Sequence, residues 1–142
     1  MKITALSLLF CSFIGCAMAD TVKISNGKAD QLLASLMLID SGLTAKSTTI
    51  LADNINVLKP RVEAYGKGNQ SALLKFKIVS GMKNDDPAVL AYTNEIQANF
   101  DTEITVELTP LSLTDDEIVA AKIKPATLAF IRQYLLPSPP KK

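Results

Sequence analysis

Between Asp101 and Glu103 the spacing of apolar residues changes from three-and-four to two, and this change constrains the fold more than any other feature of the chain. From Glu103 onward, Ile104, Val106 and Leu108 fall on one side of an extended segment. Glu103, Thr105, Glu107 and Thr109 fall on the other, and Pro110 stops the run. A half-buried strand needs a partner. Thr21 to Ser25 also alternates, with Val22 and Ile24 on one face. We therefore expect a two-stranded antiparallel element pairing Val22–Ser25 with Ile104–Thr109.

The rest of the chain reads as helix. After Asn26, taken as an N-cap, apolar residues at 29, 32, 33, 36, 37 and 39 predict a helix over Lys28–Ser41, with Gly42 placed for a left-handed C-cap. Leu51, Ile55, Leu58, Val62 and Tyr65 recur at 4, 3, 4, 3 and form a narrow seam on a helix over Thr48–Tyr65. Pro60 lies inside it and predicts a kink near Val57–Lys59 or a break, since interior proline costs roughly 3 kcal/mol. Gly66-Lys67-Gly68 reads as a hinge before a third helix over Gln70–Met82. Asp85-Asp86-Pro87 opens a fourth helix, whose face is Val89, Tyr92, Ile96 and Phe100. Thr114 to Glu117 fits a capping box, and Pro125 begins a last helix carrying Leu128, Ile131 and Leu135.

The fold class expected is α+β and predominantly helical: a helical hairpin, N- and C-terminal helices, and the small two-stranded antiparallel element. Residues 20–136 would make one domain, and 137–142 a flexible Pro-rich tail.

With no His in the chain, Ser-His-Asp or Cys-His activation and imidazole metal ligation are unavailable. Both cysteines, Cys11 and Cys16, lie in the first apolar stretch, so its cleavage would also remove thiol ligands and disulfides. We expect no enzyme and no cofactor.

Residues 1–19, MKITALSLLFCSFIGCAMA, combine one Lys, an apolar run and small residues before Asp20, as in a secretory signal peptide. Two other readings compete. Phe13-Ile14-Gly15-Cys16 resembles a bacterial lipobox, which would lipidate Cys16 and bring a membrane into play. Translation from Met18 would leave the stretch unmade. Export to a bacterial periplasm follows from a start at Met1, and a host-cytoplasmic protein from a start at Met18.

Charge is segregated. Lys59 to Lys83 carries six bases (Lys59, Arg61, Lys67, Lys75, Lys77, Lys83) against Glu63, whereas Asp85 to Glu117 carries nine acids and no base. Two antiparallel helices with complementary rims explain this without a partner. A partner face on Lys59, Arg61, Lys67, Lys75 and Lys77 is the functional alternative. From Asp20 the chain has 15 − 1 = 14 bases and 14 acids, and only Tyr65 and Phe76 could stack a base, so no nucleic-acid binding is expected. Asp115, Asp116 and Glu117 lack the alternating ligands and glycine turn of a calcium loop and read as capping residues. Gly66-Lys67-Gly68 lacks the remainder of a phosphate loop. The seam is core by default, or else a contact in a homo-oligomer.

Four stretches, VKISNGKADQLLASL, ILADNINVLKPRVEAYGKGNQSALLK, NEIQANFDTEITVELTPLSL and IKPATLAFIRQYL, together resemble small proteins of unknown function from tailed bacteriophages of the siphovirus type. The resemblance implies a helical hairpin beside a strand pair, no known activity, and a natural start at Met18. The expected function is a non-enzymatic protein-interaction or assembly module, phage-encoded. The alternative is an exported periplasmic or lipid-anchored binding or inhibitory protein.

Overall fold

A computed structural model describes residues 19–136. The elements run β1 (Asp20–Ser25), α1 (Asn26–Met37), α2 (Ala45–Lys75), α3 (Pro87–Asp101), β2 (Glu103–Leu108), α4 (Asp115–Ala120) and α5 (Pro125–Leu135). The signal-like segment up to Met18, including Cys16, and the tail at 137–142 lie outside the described residues.

The strand pair forms as its alternation requires. β1 and β2 are antiparallel, with Val22 opposite Val106 and Ile24 opposite Ile104. Ile24, Val106 and Leu108 turn inward and are buried, while Lys23, Thr105 and Glu107 stay exposed. Against this face pack Ala29, Leu32, Leu33 and Leu36 of α1, Leu51 and Leu58 of α2, and Ile131 and Leu135 of α5. Each fully buried Leu or Ile contributes roughly 1.5–3 kcal/mol before entropy is charged. The fold is predominantly helical α+β, as its periodicities dictate.

Several boundaries differ from the sequence expectation, each for a physical reason. The first helix is capped by Ser25, whose hydroxyl accepts from the Lys28 N–H, so Asn26 is already helical and β1 runs directly into α1. Asn26 is spent on tertiary bonds: its N–H donates to the Thr102 carbonyl and its Nδ2 to the Asn99 carbonyl. Gly27 lies against the Phe100 ring, where a Cβ would come within 2.0 Å of a ring carbon. The helix ends at Met37, and Gly42 (φ +83°) instead makes a close approach to the Ala120–Ala121 backbone.

The larger correction is α2, one unbroken 31-residue helix beginning at Ala45 behind a Thr44 cap. Pro60 forgoes its backbone bond, and Gly66 and Gly68 each cost up to about 1 kcal/mol relative to Ala, yet none breaks the helix. There is no hinge at 66–68. The helix is held at two places: Leu51, Asn54 and Leu58 sit in the core, and Ala72 is buried further along. Gly68 faces Asn99 of α3.

The helix then stops at Lys75 rather than continuing to Met82. Lys77 adopts φ +53°, its N–H donates to the Leu74 carbonyl, and the Ile78 N–H donates to that of Leu73. This is the paired-bond C-cap in which glycine usually takes the left-handed position. The same arrangement closes α4, with Lys122 at φ +53° and the Ile123 N–H donating to the Ile118 carbonyl. No glycine marked either stop.

Candidate interaction surface

α2 and α3 pack side by side in opposite directions. Two contacts set their register: the Asn99 Nδ2 approaches the Asn69 Oδ1 at 3.5 Å, and the Lys75 ammonium pairs with the Glu95 carboxylate. The last residue of α2 is thus level with the middle of α3. The first half of α3, Pro87 to about Asn94, overhangs the end of α2 by roughly 10 Å at 1.5 Å per residue.

The base of this hairpin is tied to the core through Asn26, Asn99, Thr102 and Phe100. Its tip is only partly covered. No residue of α3 is buried; its inner apolar face, Val89, Tyr92, Ile96 and Phe100, is half-buried throughout. Asp86 and Pro87 start the helix as the sequence predicts, with Asp86 Oδ1 accepting from the Ala88 N–H at 2.8 Å. Around the tip, Leu74 is 75% exposed, Val79 65% and Leu90 52%, with Leu73 partly exposed as well. A helix of this length is marginal in isolation.

Of the candidate partner-face residues, Lys75 and Lys77 lie at that apolar end, whereas Lys59, Arg61 and Lys67 lie further back along α2. All five candidate partner-face residues (Lys59, Arg61, Lys67, Lys75, Lys77) are exposed. They do not form one stripe. At about 100° per residue, Lys67 points about 180° from the core residue Leu58, Lys59 and Lys75 lie about 100° to either side, and Arg61 is about 60° away. Arg61 therefore sits beside Tyr65 and Asn99 in the groove between α2 and α3. Lys77 occupies the left-handed cap beyond the helix. Among the described residues, Lys75–Glu95 is the one ion pair joining the basic and acidic segments. The two helices do lie antiparallel, but complementary rims account for little of the charge.

The Leu51–Tyr65 seam faces inward. Leu51 and Leu58 are buried, and Ile55 and Val62 pack on the core.

Glu117 takes the capping role expected of it and adds a second, long-range one. It is 5% exposed, and its carboxylate joins two helix starts. One oxygen accepts from the Thr44 N–H (2.9 Å) and hydroxyl (2.8 Å) at the head of α2; the other accepts from the Thr114 N–H (2.9 Å) and hydroxyl (3.2 Å) at the head of α4. The predicted capping box is present. The bridge to Thr44, 73 residues away, had no local signal. The Ser47 hydroxyl and then the Thr114 and Thr44 donors hold this carboxyl far below the usual range, against a smaller opposing effect of burial. Ser47 and Glu117 also line a cleft of about 410 Å³ with Lys46 and Ile50. Among the described residues no three Asp, Glu, His or Cys side chains converge as a metal site would need.

Among the described residues no helix is long and apolar enough to cross a membrane. Comparison with protein-family models, with curated proteins and with solved structures finds no match.

Proposed function

We propose that this chain is a non-enzymatic protein-interaction or assembly module, a phage-encoded accessory protein, and that it works through the hairpin tip. The observation that carries the reading is α3. Fifteen residues with a well-formed cap bury no side chain in the monomer, and the overhanging end displays leucine and valine to solvent. Apolar side chains gathered at one end of a molecule and rimmed by charge mark contact surfaces more often than sites of chemistry. The sequence resemblance to phage proteins supplies the biological setting in this reading.

Affinity capture from the native host background tests it, using wild-type protein, Leu74→Glu, Leu90→Glu and a control, Val119→Glu, at an exposed residue on α4. The tip variants should lose a captured protein that the control retains. Equal capture by all four would sink the assignment of the surface. A second reading, an exported or lipid-anchored binding protein, is favoured by residues 1–19. Intact mass separates the two: a first residue of Met18 supports the phage-cytoplasmic reading, and Asp20 or lipidated Cys16 supports export.

A further inference from the structure

We infer that residues 63–98, the outer part of the hairpin, open and close as one unit while the rest of the domain stays folded, a conformational device with its breakpoint at Pro60. It goes beyond the proposed function and does not depend on it, since opening needs no partner.

The core is complete without this segment. Among the described residues, every buried side chain of the main core comes from residues 24–58 or 106–135, and the half-buried residues packed on it stop at Val62 and resume at Ile104. Between 63 and 98 only Ala72 is buried. The polar ties across the hairpin are slight: the Lys75–Glu95 pair, whose Lys75 side chain is 60% exposed, and the 3.5 Å approach of Asn99 to Asn69. Exposed ion pairs contribute little, because ordering two long side chains offsets most of their attraction.

The sequence of α2 weakens the same segment. Pro60 has no N–H, so the Asn56 carbonyl lacks its helical bond, and a helix shortened to end at Lys59 would lose nothing at that point. Gly66 and Gly68 follow, each less favourable in a helix than alanine. A methyl at either would meet nothing closer than 3.8 Å, so packing does not require them. Once the outer turns of α2 separate, α3 has no buried side chain to keep it in place, and 15 residues are marginal as an isolated helix. Both helices therefore open together. The base stays attached, because Asn99 and Phe100 remain on Asn26 and Gly27. A poorly buried stretch between well-packed ones opens in this way as a sub-global unit. Opening turns Val89, Tyr92 and Ile96, half-buried in the closed hairpin, out to solvent. The order of the hairpin thus sets how much apolar surface the domain displays.

Native-state hydrogen exchange on the expressed chain, read residue by residue in low urea, tests the inference. Amides of 63–75 and 91–98 should share one opening, at least about tenfold more frequent than that of the core amides of α1 and α5, with a shallower urea dependence. Gly66→Ala, at a position that touches nothing, should raise protection about fivefold in α3 as well as in α2. Ile131→Val, in the core, should lower protection of core amides by about threefold to tenfold and leave both hairpin helices unchanged. Hairpin amides as protected as the core, α3 amides indifferent to Gly66→Ala, or hairpin amides falling with the core in Ile131→Val would each overturn the inference.

Discussion

Asn54 offers the sharpest test of how the helical layer grips the strand pair. It is 1% exposed in the middle of α2, and its amide is matched to one residue: Nδ2 donates to the Thr109 carbonyl at 2.9 Å, and Oδ1 accepts from the Thr109 N–H at 2.8 Å. Thr109 follows the last paired residue of β2 and precedes Pro110, so the side chain continues a ladder that the backbone has abandoned. Asn54→Leu conserves size but leaves both Thr109 groups without their partner. Thr109 is half-buried and water can reach part of it, so each orphan should cost about 1–1.5 kcal/mol, the lower end of the usual penalty, for a total of about 2–3 kcal/mol. In a domain of this size that is a fall in Tm of roughly 10 °C.

Asn54→Asp separates hydrogen bonding from packing. At neutral pH its carboxylate still accepts from the N–H but opposes the Thr109 carbonyl. The buried site then raises the aspartate pKa above about 3.9, so the variant takes up a proton on folding as pH falls and can donate again. Its deficit relative to wild type should therefore shrink on acidification and widen as pH rises through the folded pKa. Urea titrations and far-ultraviolet circular dichroism melts at several pH values measure both effects, with the denaturant slope expected to stay unchanged. An Asn54→Leu protein melting within about 2 °C of wild type, or an Asn54→Asp deficit independent of pH, would refute the reasoning.

Three further outcomes are expected. Gly27→Ala should destabilise by about 1–3 kcal/mol, because its methyl occupies the space of the Phe100 ring and forces repacking; pairing it with Phe100→Leu should recover part of the loss in a thermal melt. Val106→Asp should abolish cooperative unfolding, since a charge there is 4% exposed on the inner strand face; a native-like melt would show the face to be tolerant. The Glu117 carboxyl is depressed in the folded state and ordinary, about 4.3, when unfolded. Its contribution to stability is present above that value and drains away as pH falls below it, so Glu117→Gln should flatten the acid limb of a urea-midpoint profile; an unaltered limb would contradict this.

The elements that could be read from residues alone were those governed by short-range physics. A two-residue alternation can place Val22, Ile24, Ile104 and Val106 on one face in only one way, and the observed register puts them opposite one another. The cap at Asp86–Pro87 and the box at Thr114–Glu117 complete themselves within a turn, so their signals survive in any tertiary setting. The seam from Leu51 to Tyr65 likewise pointed to the core, because helical spacing fixes which side chains share a side. Of the candidate surface, the charge segregation was visible, but the overhang of α3 and the arc over which the cations spread were not. The overhang depends on where α2 stops, and a lysine, rather than a glycine, takes the left-handed position that stops it; the arc depends on α2 running unbroken through Pro60, Gly66 and Gly68.

What the chain by itself determined, then, was periodicity: which segments are helix or strand, and which side of each is apolar. Tertiary structure decided continuity and connection. Pro60, Gly66 and Gly68 together oppose a single helix by a few kcal/mol, and only burial of Leu51, Asn54, Leu58 and Ala72 along its length outweighs them. Asn54 and Glu117 bond to residues 55 and 73 positions away, and a bond of that span leaves no mark on neighbouring residues, because its partner is brought near only by the fold.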